Sequence, residues 1–573
     1  MAFTRRNFIK TVGASGIVLA SHDLIGDLLA QTPPGQPLQS KFKGLSDIVL
    51  AQAKLAGCTY ADVRFTRNAS MAVNASGSGP ARGAGAGGDA GGFPGGGGRG
   101  GGGGRGGGGG GRGGGGGFGG RGGGGQGFAA FGGREGTRGA AGFGVRVIHS
   151  GVWGFASSPI VTEDEIRRIT NVAVEVAKAS AVAKTFDVRL APVPAYTAHW
   201  VSPMKKDPTT VPITEQQALV QKVVDLAVKN KSVVSVNASV SMGYEWKYFA
   251  SSEGSYIEQE IYNTQPQFSV TARVGDVTQS RQFTAPPKTA GWETAEESEM
   301  IENAERIAAE AEEFCTAKPI GIGVKDLILS PSHAMLTIHE IVAHATELDR
   351  IMGYEANYAG TSFVKVSDLG KLKYGSKMFN VTCDRTMPGA MGTVGYDDDG
   401  VKTQSWPLIR EGILVGLQTN RETAHYINEK ESRGCTGAGS WRDYPFLRMP
   451  NVHMDFDPKG PTLAEIIADT KDGVMIDGRG SYSIDQQRYN GQFGGNAFWE
   501  VKNGKVTRMA TNVTYNAITT DFWANLNAVG NQSTWKMNGT GGDAKGQPTQ
   551  TNSISHGSPW MRIGKILVGA AFS

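Results

Sequence analysis

The chain has 573 residues, a formal net charge of +4 and 84 glycines. That length suffices for two to four domains of about 150 residues and a large buried core. So small a charge, with no basic stripe interleaved with aromatics, gives no case for nucleic acid. The four cysteines (Cys58, Cys315, Cys383, Cys435) form no Cys-x-x-Cys pair, which argues against a disulfide framework or a cysteine-rich zinc module.

In chain order, Thr4-Arg5-Arg6-Asn7-Phe8-Ile9-Lys10 and the apolar run up to Ala20 read as a twin-arginine export signal over residues 1–30. The run is too short for a membrane span and no later stretch supplies one, so a periplasmic or otherwise exported protein without a transmembrane segment is expected. Residues 31–75 and 143–190 read as one N-terminal α/β domain. It has a helix over Leu45–Gly57, a strand from Tyr60 to Val73, a hairpin turning at Ser150-Gly151, and a helix opened by a capping box at Thr162 and Glu165. Between them, residues 76–142 are almost pure glycine with scattered arginine, too poor in apolar side chains to offset backbone entropy, and are predicted to be a disordered tether.

Residues 191–320 read as a central α/β domain with a helix opened by Thr214 and Gln217, antiparallel strands between Val233 and Thr284, and a long acidic helix from Thr294 to Ala317. Residues 321–573 open with a strand at Leu327–Pro331 and a helix from Ala334. They continue with short strands, among them Met391–Gly400 and Ile413–Gln418, and a helix near Thr462–Thr470. The fold class is therefore α/β (α+β): a mixed-sheet N-terminal half followed by a sheet-rich C-terminal domain.

The chemistry concentrates in Thr337-Ile-His-Glu-Ile-Val-Ala-His-Ala-Thr-Glu-Leu-Asp349. Neutral imidazoles are common zinc ligands, and a neighbouring carboxylate can take a proton from an activated water, which singles out His339, His344 and Glu340. The histidines stand at i and i+5, not i and i+4. On a regular helix that spacing turns the second ring about 140° from the first, so one ion is shared only if the helix widens into a π-bulge or ends between them.

Several blocks resemble the TldD/PmbA family of metallopeptidases, in its TldD branch. They are His339-Glu-Ile-Val-Ala-His344, Asp384-Arg-Thr-Met-Pro-Gly389, Tyr396-Asp-Asp-Asp-Gly400, Leu408–Gly416, Pro445–Asn451 and Asn527–Gly530, in an order that covers nearly all of Leu327 to Ile563. The resemblance implies a Zn²⁺-dependent peptidase acting on short or unfolded peptides, often as a dimer with a related PmbA-type subunit. By position it makes His339 and His344 ligands and Glu340 the general base. A self-dimer fits equally. Glu347 is the candidate to orient an imidazole from behind.

The family's usual third ligand, a cysteine in a Gly-Thr-Cys-Gly segment, is absent: the matching stretch is Gly539-Thr-Gly-Gly-Asp543. His556 is the first choice to replace it, with Asp543, Cys435 or no third ligand as alternatives. Arg448 is read as orienting a substrate carboxylate or pinning its own loop, and Asp397–Asp399 as an acidic turn. Two rival functions follow from the sequence: a catalytically silent peptide-binding subunit, and a surface protein acting through its Gly/Arg tract.

Overall fold

The computed structural model describes residues 39–79 and 141–570. The expected signal over residues 1–30 and nearly all of the glycine tract lie outside the described residues.

Seven strands build the N-terminal sheet: β1 (Tyr60–Gly77), β2 (Ala141–His149), β3 (Val152–Ser158), β4 (Thr197–Val201), β5 (Val233–Ser251), β6 (Tyr256–Val274) and β7 (Val277–Thr284). Their order is β3-β2-β1-β5-β6-β4, with β7 also on β6, and only β4 runs parallel to its neighbour. The β2–β3 hairpin turns on Ser150 (φ 54°) and Gly151 (φ 79°), the two positive φ angles a tight two-residue turn requires. Alternation along β1 and β5 sends Phe65, Trp246 and Tyr248 to one face, where the helices Gln39–Leu55 and Glu163–Ser180 cover them. Helices Ile213–Ala227 and Met300–Thr316 cover the other half of that face. The opposite face carries Arg64, Arg146, Lys247 and Gln259, all of which bond the C-terminal half.

Three local expectations change. The acidic helix is broken: Glu293–Glu296 is separate from Met300–Thr316, and Glu299 between them is left-handed at φ 58°. The helix expected to open at Thr214 starts at Ile213 with Pro212 as its cap and no side-chain cap bond. The stretch Met391–Gly400 is irregular rather than strand, because its polar groups bond to turns, to Asn451 and to Gln259 instead of to a ladder.

The C-terminal half is built on a ten-stranded sheet in which Gly323–Leu329 lies between Met561–Ala570 and the parallel strand Asp472–Asp477. Its core joins Leu327, Leu329, Ile338, Ile341, Phe493, Tyr515 and Ile563. Three smaller units accompany it: a four-stranded sheet containing Val381–Asp384 and Val452–Met454, the two-stranded pair Thr436–Gly437/Phe446–Leu447, and the hairpin Lys536–Lys545/Gln550–Ser558. This mixed α/β architecture, sheet-rich towards the C-terminus, is the fold class read from the sequence. No helix among the described residues is long and apolar enough to cross a membrane.

Candidate metal centre

Ser330 caps the helix Pro331–Ile338 by accepting from His333 N, with Pro331 in the first turn where its missing N–H costs nothing. The chain then widens into a π-turn over His339–Ala343, closed by His344 N donating to His339 O, and tightens into a 3₁₀ turn over His344–Thr346. The extra residue in the π-turn takes up the i+5 spacing. The two rings lie edge to face with centroids 4.5 Å apart.

The third member comes from the hairpin. Asp543 Oδ1 is 3.7 Å from His339 Nε2 and 3.6 Å from His344 Nε2, and the three donor atoms all lie within 4.8 Å of one another. Donors about 2 Å from one tetrahedral ion stand roughly 3.3 Å apart, so the two distances from Asp543 are already close to those a shared metal requires. Each group is in the form that ligates. His556 Nδ1 sits 2.9 Å from Val452 O and must donate to it, so His556 Nε2 accepts from His339 Nδ1 at 2.9 Å, leaving His339 Nε2 bare. His344 Nδ1 donates to Glu347 Oε2 at 2.8 Å and likewise turns a bare Nε2 inward. Burial holds both rings well below the ordinary imidazole pKa, assisted by His556 at His339 and by His339 at His344. Asp543 Oδ2 accepts from Arg448 Nη2 at 3.2 Å, whereas Oδ1 is buried without a hydrogen-bond partner. An orphaned carboxylate oxygen facing two bare imidazole nitrogens fits a divalent cation.

Two expectations are corrected by this geometry. His556 is fully buried behind His339 with both ring nitrogens engaged, so it supports a ligand instead of being one. Arg448, about 1% exposed, donates Nη2 to the Asp543 carbonyl at 2.6 Å and to its carboxylate, which is the pinning role of its two readings, reached through the hairpin and not its own loop. Cys435 is buried and far from ligand form, its thiol pushed up to about 12 by burial.

Glu340 follows His339 and is buried at 5% exposure; burial lifts its carboxyl above the usual range, opposed by Arg488. Arg488 Nη1 donates to Glu340 Oε2 at 2.8 Å, and Arg488 Nη2 to Ala359 O. Arg350 also donates to Ala359 O and, through Nε, to Glu347 Oε2 at 3.0 Å. Gly360 makes that convergence possible: its φ is +89° and a Cβ there would meet Gln486 O at 2.3 Å. Arg488 and Lys545 carry no signal in the sequence because their partners lie in other elements, and Arg350, although three residues from Glu347, fits no motif.

Comparison with known proteins supplies the context. Residues 323–570 match the PmbA/TldA metallopeptidase C-terminal domain, 206–315 the central domain and 136–177 domain 1, together well over half the chain. A metalloprotease of Methanocaldococcus jannaschii is 29% identical over 378 residues, 65% of this chain and 79% of that protein. A zinc metalloprotease TldD homolog of Saccharolobus solfataricus is 23% identical over 443 residues, 75% of this chain and 90% of that protein. In fold, TldE from Thermococcus kodakarensis is similar at a TM-score of 0.61 and 14% identity, over 91% of this chain and 99% of that one.

Proposed function

Because the chain belongs to the PmbA/TldD family of metallopeptidases, we propose that it is an exported zinc-dependent peptidase that hydrolyses short or unfolded peptides with Glu340 as general base. One observation carries the reading: Asp543 Oδ1, buried and unpartnered, faces the bare Nε2 atoms of His339 and His344, and the buried Glu340 carboxyl next in the chain to His339 feels the Asp543 charge.

His339, His344 and Asp543 would hold the Zn²⁺, which when bound would supply Lewis acidity for a scissile carbonyl and an attacking water. Glu340 does the proton work. Its Oε2 is fixed by Arg488, so Oε1 accepts the proton released as water attacks and returns it to the amine nitrogen as the C–N bond breaks. The products are a carboxylate and an amine, with no other reactant consumed. His556 and Glu347 keep the ligand rings in one tautomer, and Arg448 holds the Asp543 carboxylate in place.

Export is supported by the Arg5-Arg6 motif, and fusion of residues 1–30 to a folded reporter tests it: retention in the cytoplasm refutes it. A dimer, with a related PmbA-type subunit or with itself, is proposed from the family resemblance of the sequence blocks. The test of function is zinc content measured together with chelator-sensitive cleavage of an unstructured peptide. Glu340→Gln is expected to keep its zinc and lose about 10²–10⁴-fold in kcat. Less than a tenth of an equivalent of zinc, a roughly chosen threshold, with no cleavage after zinc is added returns the chain to the silent peptide-binding reading.

A further inference from the structure

Behind the ligands lies a buried ionic cluster that the reaction does not use directly. Lys545 is fully buried, and its ammonium donates to Glu347 Oε1, Asp349 Oδ1 and Leu447 O, each at 2.9 Å. Those three acceptors exhaust its three donors. Glu347 in turn receives Lys545 on one oxygen and both His344 Nδ1 and Arg350 Nε on the other. Two acids and two bases thus balance in a dry site where an unpaired charge is costly.

The chain position of Lys545 gives this contact a second consequence. Lys545 stands two residues beyond Asp543 on the same face of the same strand, both side chains buried. Glu347 stands three residues beyond His344, on the segment that begins at the π-turn. The Lys545–Glu347 bond is therefore a tie across the centre, from the strand that brings the carboxylate ligand to the segment that brings an imidazole ligand.

We propose that Lys545 is a positioning residue for the metal centre, fixing Glu347 so that His344 keeps its proton on Nδ1 and presents Nε2 towards Asp543. Charge balance accounts for Lys545 beside Asp349 but not for its bond to Glu347, which Arg350 already neutralises from the other side. What Lys545 adds is the occupation of Oε1, which stops the carboxylate from rotating away from His344. The proposal rests on the metal reading above.

The test uses the full-length protein, with zinc affinity measured by competition against a chromophoric chelator and the histidine ring nitrogens followed by ¹⁵N NMR without metal. Lys545→Met is expected to weaken zinc about 10–100-fold and to make His344 a mixture of tautomers. Added to Glu347→Gln, it should cause no further loss, because both changes break one linkage. A folded Lys545→Met protein whose zinc affinity lies within about twofold of wild type, with the His344 spectrum unchanged, overturns the proposal. A purely structural lysine gives that result with lowered stability only. If Lys545→Met does not fold, Lys545→Gln, which keeps two N–H donors on a shorter, uncharged side chain, decides the matter by the same two readouts. A wild-type protein that binds no zinc sinks the peptidase reading, while the histidine spectra still judge Lys545.

Discussion

Two buried carboxylate clusters, one at Asp397–Asp399 and one at the metal centre, differ in whether every aspartate oxygen has a donor. In the first, every oxygen has a donor. Asp397 accepts from the backbone N–H groups of Asp399, Val401 and Thr436; Asp398 from Lys247 Nζ and Ala438 N; Asp399 from Arg146 Nη2 and Thr436 Oγ1. In the second, Asp543 Oδ1 has none. A closed set of donors is a fastener, here clasping the N-terminal sheet to the C-terminal half through Arg64, Arg146 and Lys247. An oxygen left open at comparable burial awaits a ligand.

The sharpest way to break this contrast is to change one carboxylate in each cluster. Asp543→Asn is expected to lower zinc affinity at least about 100-fold, and hydrolysis with it, while the fold survives, since the amide fills the same space. Asp399→Ala strands Arg146 with Asp62 alone and is expected to destabilise the protein by about 3–5 kcal/mol, the usual result of removing one partner from a buried ion pair. Zinc bound per folded molecule should not change. Chemical denaturation and zinc titration on both variants decide the matter; the opposite pattern would erase the distinction.

His556→Ala is next in size. Direct ligation would make the loss of zinc nearly complete, whereas a supporting role predicts a drop of about 10–100-fold with stoichiometric binding restored at high zinc. The variant should bind more weakly than wild type yet still support chelator-sensitive cleavage. That intermediate result is what separates Asp543 from His556 as third ligand.

The sequence could not make that separation, and the reason is one residue of register. His339, Glu340 and His344 were legible because their spacing is local, and the need for a π-bulge follows from helix geometry alone. In the hairpin, Asn538 pairs with His556 and Thr540 with Ile554, but the next pair is Asp543 with Asn552, so three steps on one strand match two on the other. This bulge moves Asp543 and Lys545 onto the face of Thr540 and His556. Strict alternation puts Asp543 on the other face. The fold class and the β2–β3 turn were likewise legible from period and turn chemistry, whereas the break at Glu299 rests on one left-handed non-glycine residue that no motif marks, and the irregular Met391–Gly400 depends on distant partners.

The same contrast between closed and open donor sets applies to imidazoles, and it makes the smallest of the predictions. His333 lies six residues before His339 and is also buried, but its two nitrogens are both engaged: Nδ1 donates to Gly478 O at 2.9 Å and Nε2 accepts from Tyr515 OH at 2.8 Å. Burial lowers its pKa to about 4. With an unfolded value near about 6.5, the unfolded chain takes up a proton that the folded chain refuses as pH falls between those values. Stability from this group is thus fully present above pH about 6.5, is lost progressively down to pH about 4, and levels off below it, for a total of about 3 kcal/mol. His333→Gln keeps an amide donor and a carbonyl acceptor but cannot titrate. Urea unfolding at pH about 7 and about 4.5 should show the variant less stable than wild type at the higher pH, with the gap closing by most of that amount at the lower. An unchanged gap would mean that His333 is not held neutral by its closed pair of hydrogen bonds, and the contrast with His339 would fail at its structural end.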